Sequence, residues 1–310
     1  MLFVKKFVRR VNYLIQSKTI KGGKDLKTIK IHANHLDLSQ QIASKLKEKA
    51  ENAGLTCLPL DQVSDYIITV GGDGTLLTAF HTYQDQLADS QFIGVHTGHL
   101  GFYTDWLGDE MDLLIQGILD NDEEAVSYPL LGIEVTLKGN QSLHYLALNE
   151  FILRSHRKTM VCDVAISDHF FEVFRGDGLC IATPTGSTGM NKSVGGAVLH
   201  PRVEAIQMTE LASVNNRLYR SLASPIILPK DEWLTLKPAD SMQGMNFSID
   251  NRFFEDQVVE QVRLQMSQQR IHFASFRHMH YWDRVEASFI GSANRKPSEE
   301  AGLRGIKLDL

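Results

Sequence analysis

Apolar positions divide the chain into two regions with different spacing. From residue 28, short apolar runs typical of buried strands alternate with longer segments whose apolar residues have helical spacing. The pattern predicts strands at "TIKIHA", "DYIITV" and "FIGV", and helices at "LDLSQQIASKLKEKAENAG" and "TLLTAFHTYQDQLA". This alternation predicts an α/β domain over residues 28–127, in which helices flank a parallel sheet.

Beyond "YPLLGIEVTL" the spacing changes to a period of two, and turn residues recur every few positions. Segments such as "HYLALNEFILRS", "MVCDVAISD" and "EWLTLKP" alternate apolar and polar residues, as half-buried strands do. One segment, "HPRVEAIQMTELASVN" at residues 200–215, has a spacing that predicts a helix. We therefore predict a mostly β second domain over residues 128–281 and an α+β fold overall.

Charge and composition narrow the classes of function. The net charge of −5 over 310 residues argues against a general nucleic-acid binder, whose phosphate contacts require a basic excess. Residues 1–30 are the exception, with nine Lys or Arg against one Asp, and we predict that residues 1–27 form a basic, poorly ordered extension. No apolar run approaches the ~18 residues of a membrane span, and the three cysteines lack CxxC spacing. These features predict a cytoplasmic protein with neither a membrane nor a nucleic acid as partner.

The stretch "YIITVGGDGTLLTAF" at residues 66–80 is the first candidate site. A strand runs into Gly71, Gly72, Asp73 and Gly74, and a helix is predicted to begin near Thr75. Such a junction presents free N–H groups and bare backbone to an anion. An aspartate there would repel phosphate unless it takes a hydroxyl proton or holds a metal ion. The alternative is that Asp73 only caps the helix.

Two other stretches carry polar groups. "FRGDGLCIATPTGSTGMNKSVGGA" at residues 174–197 combines hydroxyls, glycines and Lys192, which can hydrogen-bond a ribose or a phosphate. "ALNEF" places Asn149 and Glu150 in an apolar strand, where an amide and a carboxylate can read an adenosine. Either stretch could instead be local structure, a flexible loop or a polar strand end. His278 and His280 alternate as zinc ligands could, but lack an acidic partner at ligand spacing.

Together these residues resemble the NAD kinase family. The motifs are "GGDGT" at 71–75, "HTGHLGFYTDW" at 96–106, "LNE" at 148–150, "RGDGL" at 175–179, "TPTGST" and "NKSVGGA" within 183–197, and "SPIILP" at 224–229. Diacylglycerol kinases, sphingosine kinases and phosphofructokinases share only the first, so the ordered set carries the resemblance. The form of "HTGHLGFYTDW" is similar to that of the Gram-positive bacterial branch.

The resemblance implies transfer of the γ-phosphate of ATP, with polyphosphate as an alternative donor, to the 2′-hydroxyl of the adenosine ribose of NAD, giving NADP. It implies a divalent metal ion, Mg²⁺ or Mn²⁺, and a homodimer or homotetramer. It also implies a cleft between a phosphate-donor domain (residues 28–127) and an NAD-binding domain (residues 128–281), with residues 282–310 returning to the first.

Roles follow position by position from the resemblance. Asp73 matches the catalytic aspartate, and the phosphate-donor loop is matched by Gly71, Gly72, Gly74 and Thr75. The positions matching NAD-binding residues are Asp73, Gly74, Phe102, Asn149, Glu150, Arg175, Asp177, Thr188, Gly189, Met190, Asn191, Lys192, Ser193 and Ala212. No side chain is assigned to a metal.

The chain departs from the family pattern at three positions. Gly189 and Met190 stand where Ala and Tyr are common, and Asn251 stands where a histidine often follows "SID". Loss of the tyrosine removes a stacking surface worth roughly 0.5–1.5 kcal/mol. Two other interpretations stay open: a lipid or polyol kinase that shares GGDGT, and a non-catalytic NAD-sensing module.

Overall fold

The computed structural model of the protein describes residues 27–98, 101–121, 124–155, 158–239 and 245–291. The predicted basic extension (residues 1–27) lies outside this part except for Lys27, as does residue 292 onward of the predicted returning tail. The α-helices are α1 (Asp37–Asn52), α2 (Asp73–Thr82), α3 (Met111–Asp120), α4 (Met190–Ser193) and α5 (Tyr281–Val285), the last continuing into a π-helical turn, Glu286–Ile290.

The strands alternate with these helices at first and then follow one another directly. They are β1 (Thr28–Ala33), β2 (Thr56–Cys57), β3 (Tyr66–Gly71), β4 (Gln91–His96), β5 (Trp106–Leu107), β6 (Val126–Leu137), β7 (Gln141–Ala147), β8 (Glu150–Arg154), β9 (Met160–Ile166), β10 (His169–Gly176), β11 (Gly178–Ala182), β12 (Ala205–Leu211), β13 (Ile226–Pro229), β14 (Trp233–Pro238), β15 (Met245–Ile249), β16 (Arg252–Gln257) and β17 (Val259–Phe273).

The predicted α/β region is confirmed. Strands β2, β1, β3 and β4 pair in parallel, and consecutive residues of β3 point to opposite faces of this sheet. Ile68 packs in a cluster with Leu46 of α1 and Ile115 of α3, whereas Ile67 packs in a second cluster with Phe80 of α2. Because helices cover both faces, β3 is buried along its whole length.

The mostly β second region is confirmed as well. Strands β13, β12, β11, β8, β15 and β16 form a six-stranded antiparallel sheet. It packs against the antiparallel part of the first sheet, which contains β6, β7, β9, β10, β14 and β17. Phe151, Phe174 and Leu264, all 0% exposed, belong to the core between the two.

The long strand β17 joins the parallel and antiparallel parts of the first sheet. It pairs with β14 and β6 along its length, and its last residue, Phe273, pairs in parallel with Phe92 of β4. The sheet therefore runs through both predicted domains without a break. The domain limits themselves remain a prediction.

The helix predicted within residues 200–215 is wrong, because this segment contains strand β12. β12 lies between β11 and β13, so Ala205–Leu211 pairs on both sides. Its apolar residues have a spacing that fits a helix or a fully buried strand, and pairing with two neighbours decided between them. None of the helices in the described residues is long and apolar enough to span a membrane.

Candidate active site

The glycine loop lies at the carboxyl end of β3, where it turns into α2. Gly71 has φ +153°, and a Cβ there would lie 2.2 Å from Oγ1 of Thr75 and 2.7 Å from Nδ2 of Asn34, so only glycine fits. Gly72 and Gly74 differ, because no described atom lies within 4 Å of a Cβ built at either and both are exposed. The loop thus exposes bare backbone at the start of a helix.

Asp73 is the first residue of α2, two residues earlier than the predicted helix start. Its Oδ2 accepts a hydrogen bond from the backbone N–H of Phe102 (2.8 Å), and its Oδ1 accepts one from Tyr103 (3.0 Å). The capping alternative is therefore wrong, because the carboxylate turns toward residues 101–103 and makes no described bond to its own helix. A Cβ on Gly101 would lie 2.1 Å from Oδ1, so this turn lies directly against the carboxylate.

Asn149 lies in the turn from β7 to β8 and Glu150 is the first residue of β8; Asp250 holds both in place. The Asp250 carboxylate accepts hydrogen bonds from the backbone N–H groups of Leu148 (3.0 Å), Asn149 (2.7 Å) and Glu150 (3.1 Å). His81 of α2 places its Nε2 2.9 Å from the same carboxylate. The turn is thereby fixed to the helix that begins with Asp73.

Tyr103 connects Asp73 to this turn. Its backbone N–H donates to Asp73, and its hydroxyl donates to Oδ1 of Asn149. Burial, reinforced by the carboxylates of Asp73, Asp250 and Glu150, raises the pKa of Tyr103 well above its ordinary value, so the hydroxyl stays protonated and remains a donor. Asp73 and Asn149, 76 positions apart in the chain, thus lie on either side of one tyrosine.

Glu150 places a carboxyl group in a nearly dry part of the site. It is 9% exposed, and its Oε2 has no hydrogen-bond partner among the described residues. Burial, together with the charge of Asp250, raises the pKa of Glu150 to about 8. The group is therefore mostly protonated at neutral pH and can donate a hydrogen bond. Gly189 lies beside it, since a Cβ there would lie 3.2 Å from Oε2.

The polar loop after β11 is held by its own inward-facing side chains. Asn191 is 0% exposed, donates from Nδ2 to the carbonyls of Ser187 (3.4 Å) and Ala197 (3.3 Å), and accepts from Oγ1 of Thr209 (2.7 Å). Thr188, also buried, donates to the carbonyl of Thr185 (3.3 Å). These two predicted NAD-binding residues therefore direct their side chains into the protein and shape the loop.

The outward-facing residues of the loop are Gly189, Met190, Lys192 and Ser193, all exposed. The Nζ of Lys192 lies 4.2 Å from the ring centre of Phe289, and the Phe289 ring centre is 5.8 Å from that of Phe102. The turn after α5 therefore brings the predicted Phe102 and Lys192 together. Asn251 is hydrogen-bonded to the first turns of α2, with Nδ2 3.3 Å from the carbonyl oxygen of Gly74.

Asp177 and Ala212 lie in a separate open pocket of about 520 Å³ beside the loop. Its lining residues are Arg154, Ser155, Asp177, Val194, Glu210, Leu211 and Ala212. Ala212 follows strand β12 with φ +47° and is not part of the predicted helix. Arg175 is not among the lining residues of this pocket, and its guanidinium carbon lies 4.3 Å from the ring centre of Tyr219.

Among the described residues, no three His, Cys, Asp or Glu side chains are grouped to hold a metal ion. His278, considered above as a zinc ligand, instead lies with Nδ1 3.2 Å from Oδ2 of Asp105 and Nε2 2.5 Å from the Tyr128 hydroxyl. Three residues that organise the site, Tyr103, Asp250 and His81, were not singled out from the sequence. His81 carries no local motif, Asp250 is the aspartate of the "SID" that precedes Asn251, and Tyr103 lies within "HTGHLGFYTDW".

The chain is similar to known proteins over most of its length. The ATP-NAD kinase N-terminal domain model matches residues 6–123, and the C-terminal domain model matches residues 148–276. An NAD kinase from Latilactobacillus sakei is 52% identical over 266 residues, which cover 85% of this chain and 98% of that protein. One from Levilactobacillus brevis is 48% identical over 268 residues, covering 86% and 99%.

A crystal structure of yeast NADH kinase complexed with NADH has a similar fold, with a TM-score of 0.73 at 20% identity over 87% of this chain and 89% of that one. An NAD kinase from Archaeoglobus fulgidus in complex with ATP gives a TM-score of 0.63 at 18% identity, covering 80% and 93%. Two family models match the chain, and the curated relatives are about 50% identical to it over most of their length. The chain therefore belongs to the ATP-NAD kinase family.

Proposed function

We propose that the protein transfers the γ-phosphate of ATP to the 2′-hydroxyl of the adenosine ribose of NAD, giving NADP. The observation that carries this proposal is the position of Asp73. Its carboxylate lies where the exposed glycine loop adjoins the Asn149–Glu150 turn, and Tyr103 is bonded to both. The relatives named above as NAD kinases, and the neighbours solved with NADH and with ATP, support the same reaction.

In this mechanism Asp73 accepts or orients the proton of the attacking hydroxyl. Two backbone N–H groups fix the carboxylate, so it needs no reorganisation when the hydroxyl arrives. Gly72 and Gly74 leave room for phosphates to approach the start of α2, where free N–H groups favour an anion. Phosphoryl transfer depends mainly on such positioning and charge neutralisation.

The NAD-binding roles follow the same arrangement. Asn149 and the protonated Glu150 hold the adenosine part beside Phe102, and the outward residues of the 188–193 loop contact the remainder. Asp177 and Ala212, in their neighbouring pocket, serve the nicotinamide side. Arg175, two residues before Asp177, contributes through its backbone. The parallel-sheet domain thus carries the phosphate donor and the β-rich domain carries NAD.

A divalent ion, Mg²⁺ or Mn²⁺, fits this site only as part of the donor complex. Mg²⁺ in kinases is commonly bound by one or two carboxylates together with substrate phosphates. With no acidic cluster among the described residues, Asp73 is the carboxylate that could share such an ion with ATP. When bound, the ion would neutralise phosphate charge.

The test of the proposal is Asp73→Asn. The amide keeps the size of the side chain but cannot take a proton, so we expect kcat to fall about 10²-fold or more. Calorimetry should show that the variant still binds NAD, which separates a lost proton acceptor from an empty site. Asp168→Asn, at an exposed turn position, is the matched control and should keep full activity. Near-normal turnover in Asp73→Asn would contradict the role of Asp73.

Acceptor and donor preference are separable in one coupled assay. We expect NADP formation from NAD with ATP and Mg²⁺, and no product from diacylglycerol, which a lipid kinase would phosphorylate. Binding of NAD without NADP formation would favour the sensing module instead. Running the assay with polyphosphate identifies the donor. We further propose a homodimer or homotetramer acting in the cytoplasm, which light scattering and fractionation would test.

A further inference from the structure

Arg284 is a buried arginine outside every motif considered so far. It lies in α5, is 2% exposed, and is among the largest fully buried side chains of the described residues. Its Nη1 donates to the carbonyl oxygens of Gly101 (3.0 Å) and Thr104 (3.2 Å), and its Nη2 donates to Oδ1 of Asp105. All three acceptors belong to one turn, residues 101–105.

That turn is the one that holds Asp73. The two N–H groups that donate to the Asp73 carboxylate belong to Phe102 and Tyr103, and Arg284 binds the carbonyls of the residues on either side of this pair. The carbonyl of Gly101 and the N–H of Phe102 belong to one rigid peptide plane. The anchor on the carbonyl at 101 therefore restricts the direction in which the N–H at 102 points, and the anchor on the carbonyl at 104 holds the other end of the segment that contains Tyr103.

The remaining contacts of the turn leave this restriction incomplete. The N–H of Asp105 bonds to the carbonyl of Gly94 on β4 (3.0 Å), and the N–H of Gly101 bonds to Oγ1 of Thr104 (3.0 Å). The first bond orients the peptide plane that carries the Thr104 carbonyl, but neither bond involves the plane shared by the Gly101 carbonyl and the Phe102 N–H. Arg284 supplies the described side-chain donors to the carbonyls of Gly101 and Thr104.

We propose that Arg284 is a positioning residue for phosphoryl transfer, which holds the 101–105 turn so that its N–H groups orient the Asp73 carboxylate. This inference rests on the proposed role of Asp73. Arginine suits the task because its planar guanidinium offers several donors in fixed directions. Asp105 neutralises it, and Asp105 is itself held by His278 and by the N–H of Met279 (3.0 Å).

The experiment is a double-mutant cycle of Arg284→Lys and Asp73→Asn, with kcat, NAD affinity and Tm measured for all four proteins. Lysine keeps the charge but cannot reach both carbonyls and Asp105 in the same geometry. We expect Arg284→Lys alone to lower kcat about 10- to 100-fold while NAD affinity changes less than about threefold. In the Asp73→Asn background the same substitution should change kcat by less than about twofold. Arg270→Lys is the matched control, since Arg270 also binds a backbone carbonyl, that of Ser127 (3.2 Å), and should leave kcat unchanged.

The two proposals can fail separately. Normal turnover in Asp73→Asn alone would remove the role of Asp73. Equal losses from Arg284→Lys in both backgrounds, or a lower Tm with unchanged kcat, would show that Arg284 only stabilises the fold and would overturn the positioning role. If Arg284→Lys does not fold, the pair Arg284→Gln with Asp105→Asn removes both buried charges together, which is often tolerated. The same loss in kcat is expected there, and normal kcat would overturn the inference.

Discussion

Glu150 holds a carboxyl group whose pKa lies far from that of a free glutamate. Its pKa is raised from 4.5 to about 8 by burial and by Asp250. Between these values the folded protein keeps the proton that the unfolded chain releases. The stability of the fold therefore falls as pH rises from about 4.5 to about 8.

Glu150→Gln should remove this dependence, because glutamine has no proton to release. We expect the variant to raise Tm by at least about 3 °C at pH 8 and to change it little at pH 5. Thermal unfolding at the two pH values is the measurement. Glu255→Gln, at an exposed position of β16, should leave Tm unchanged at both. An equal shift of Tm for Glu150→Gln at pH 5 and pH 8 would contradict the raised pKa.

At the scale of the element, the β7–β8 turn depends on Asp250, the residue that follows β15. The three N–H groups of this turn bond to one carboxylate, that of Asp250, whose side chain is 0% exposed. A carboxylate can accept hydrogen bonds on both oxygens. An asparagine at this position would replace one oxygen with an NH₂ group, which would face the backbone N–H groups without accepting from them.

Asp250→Asn should therefore loosen the turn that presents Asn149 and Glu150. Leaving a buried N–H unsatisfied costs about 1–3 kcal/mol, so we expect a lower Tm and a KM for NAD raised about tenfold or more. Steady-state kinetics and thermal unfolding test this. Asp231→Asn, which is exposed, serves as the control. An unchanged KM for NAD would show that the turn keeps its shape without the carboxylate.

Elements whose structure is decided by neighbouring residues are the ones that the sequence predicts. The strands β1, β3 and β4 and the glycine loop are predictable because their signals are local: short apolar runs for the strands, and clustered glycines for the loop. Strand β12 was missed because its partners, β11 and β13, decide its structure and lie elsewhere in the chain. Likewise Asp73 and Asn149 stand in recognisable motifs, whereas Asp250 reaches Asn149 across 101 positions and Arg284 reaches Thr104 across 180.

At the scale of the whole molecule, β17 makes the two predicted domains share one sheet. Leu264 of β17, 0% exposed, belongs to the core of the antiparallel part, and Phe273 at the end of the same strand belongs to a cluster that contains Phe80 of α2. Loss of β17 would open both cores. We therefore expect the described region to unfold in one cooperative transition.

Leu264→Ala tests this coupling, since truncation of a buried leucine costs about 2–5 kcal/mol. Two reporter proteins keep a single tryptophan, either Trp106 on the parallel part or Trp233 on β14. We expect fluorescence from both to report the same midpoint, lowered by the same amount in Leu264→Ala. A shift seen by Trp233 but not by Trp106 would show that the two parts unfold independently.

Apart from the His81 side chain, the donors to the Asp73 and Asp250 carboxylates are five main-chain N–H groups, which every residue except proline supplies. Substitutions at residues 102, 103 and 148–150 can change the side chain while the hydrogen bond to the carboxylate survives. Proline is the exception, because it lacks the N–H. As far as these contacts are concerned, a gene encoding this protein can drift at five positions beside its reaction centre and keep the geometry of its acidic groups.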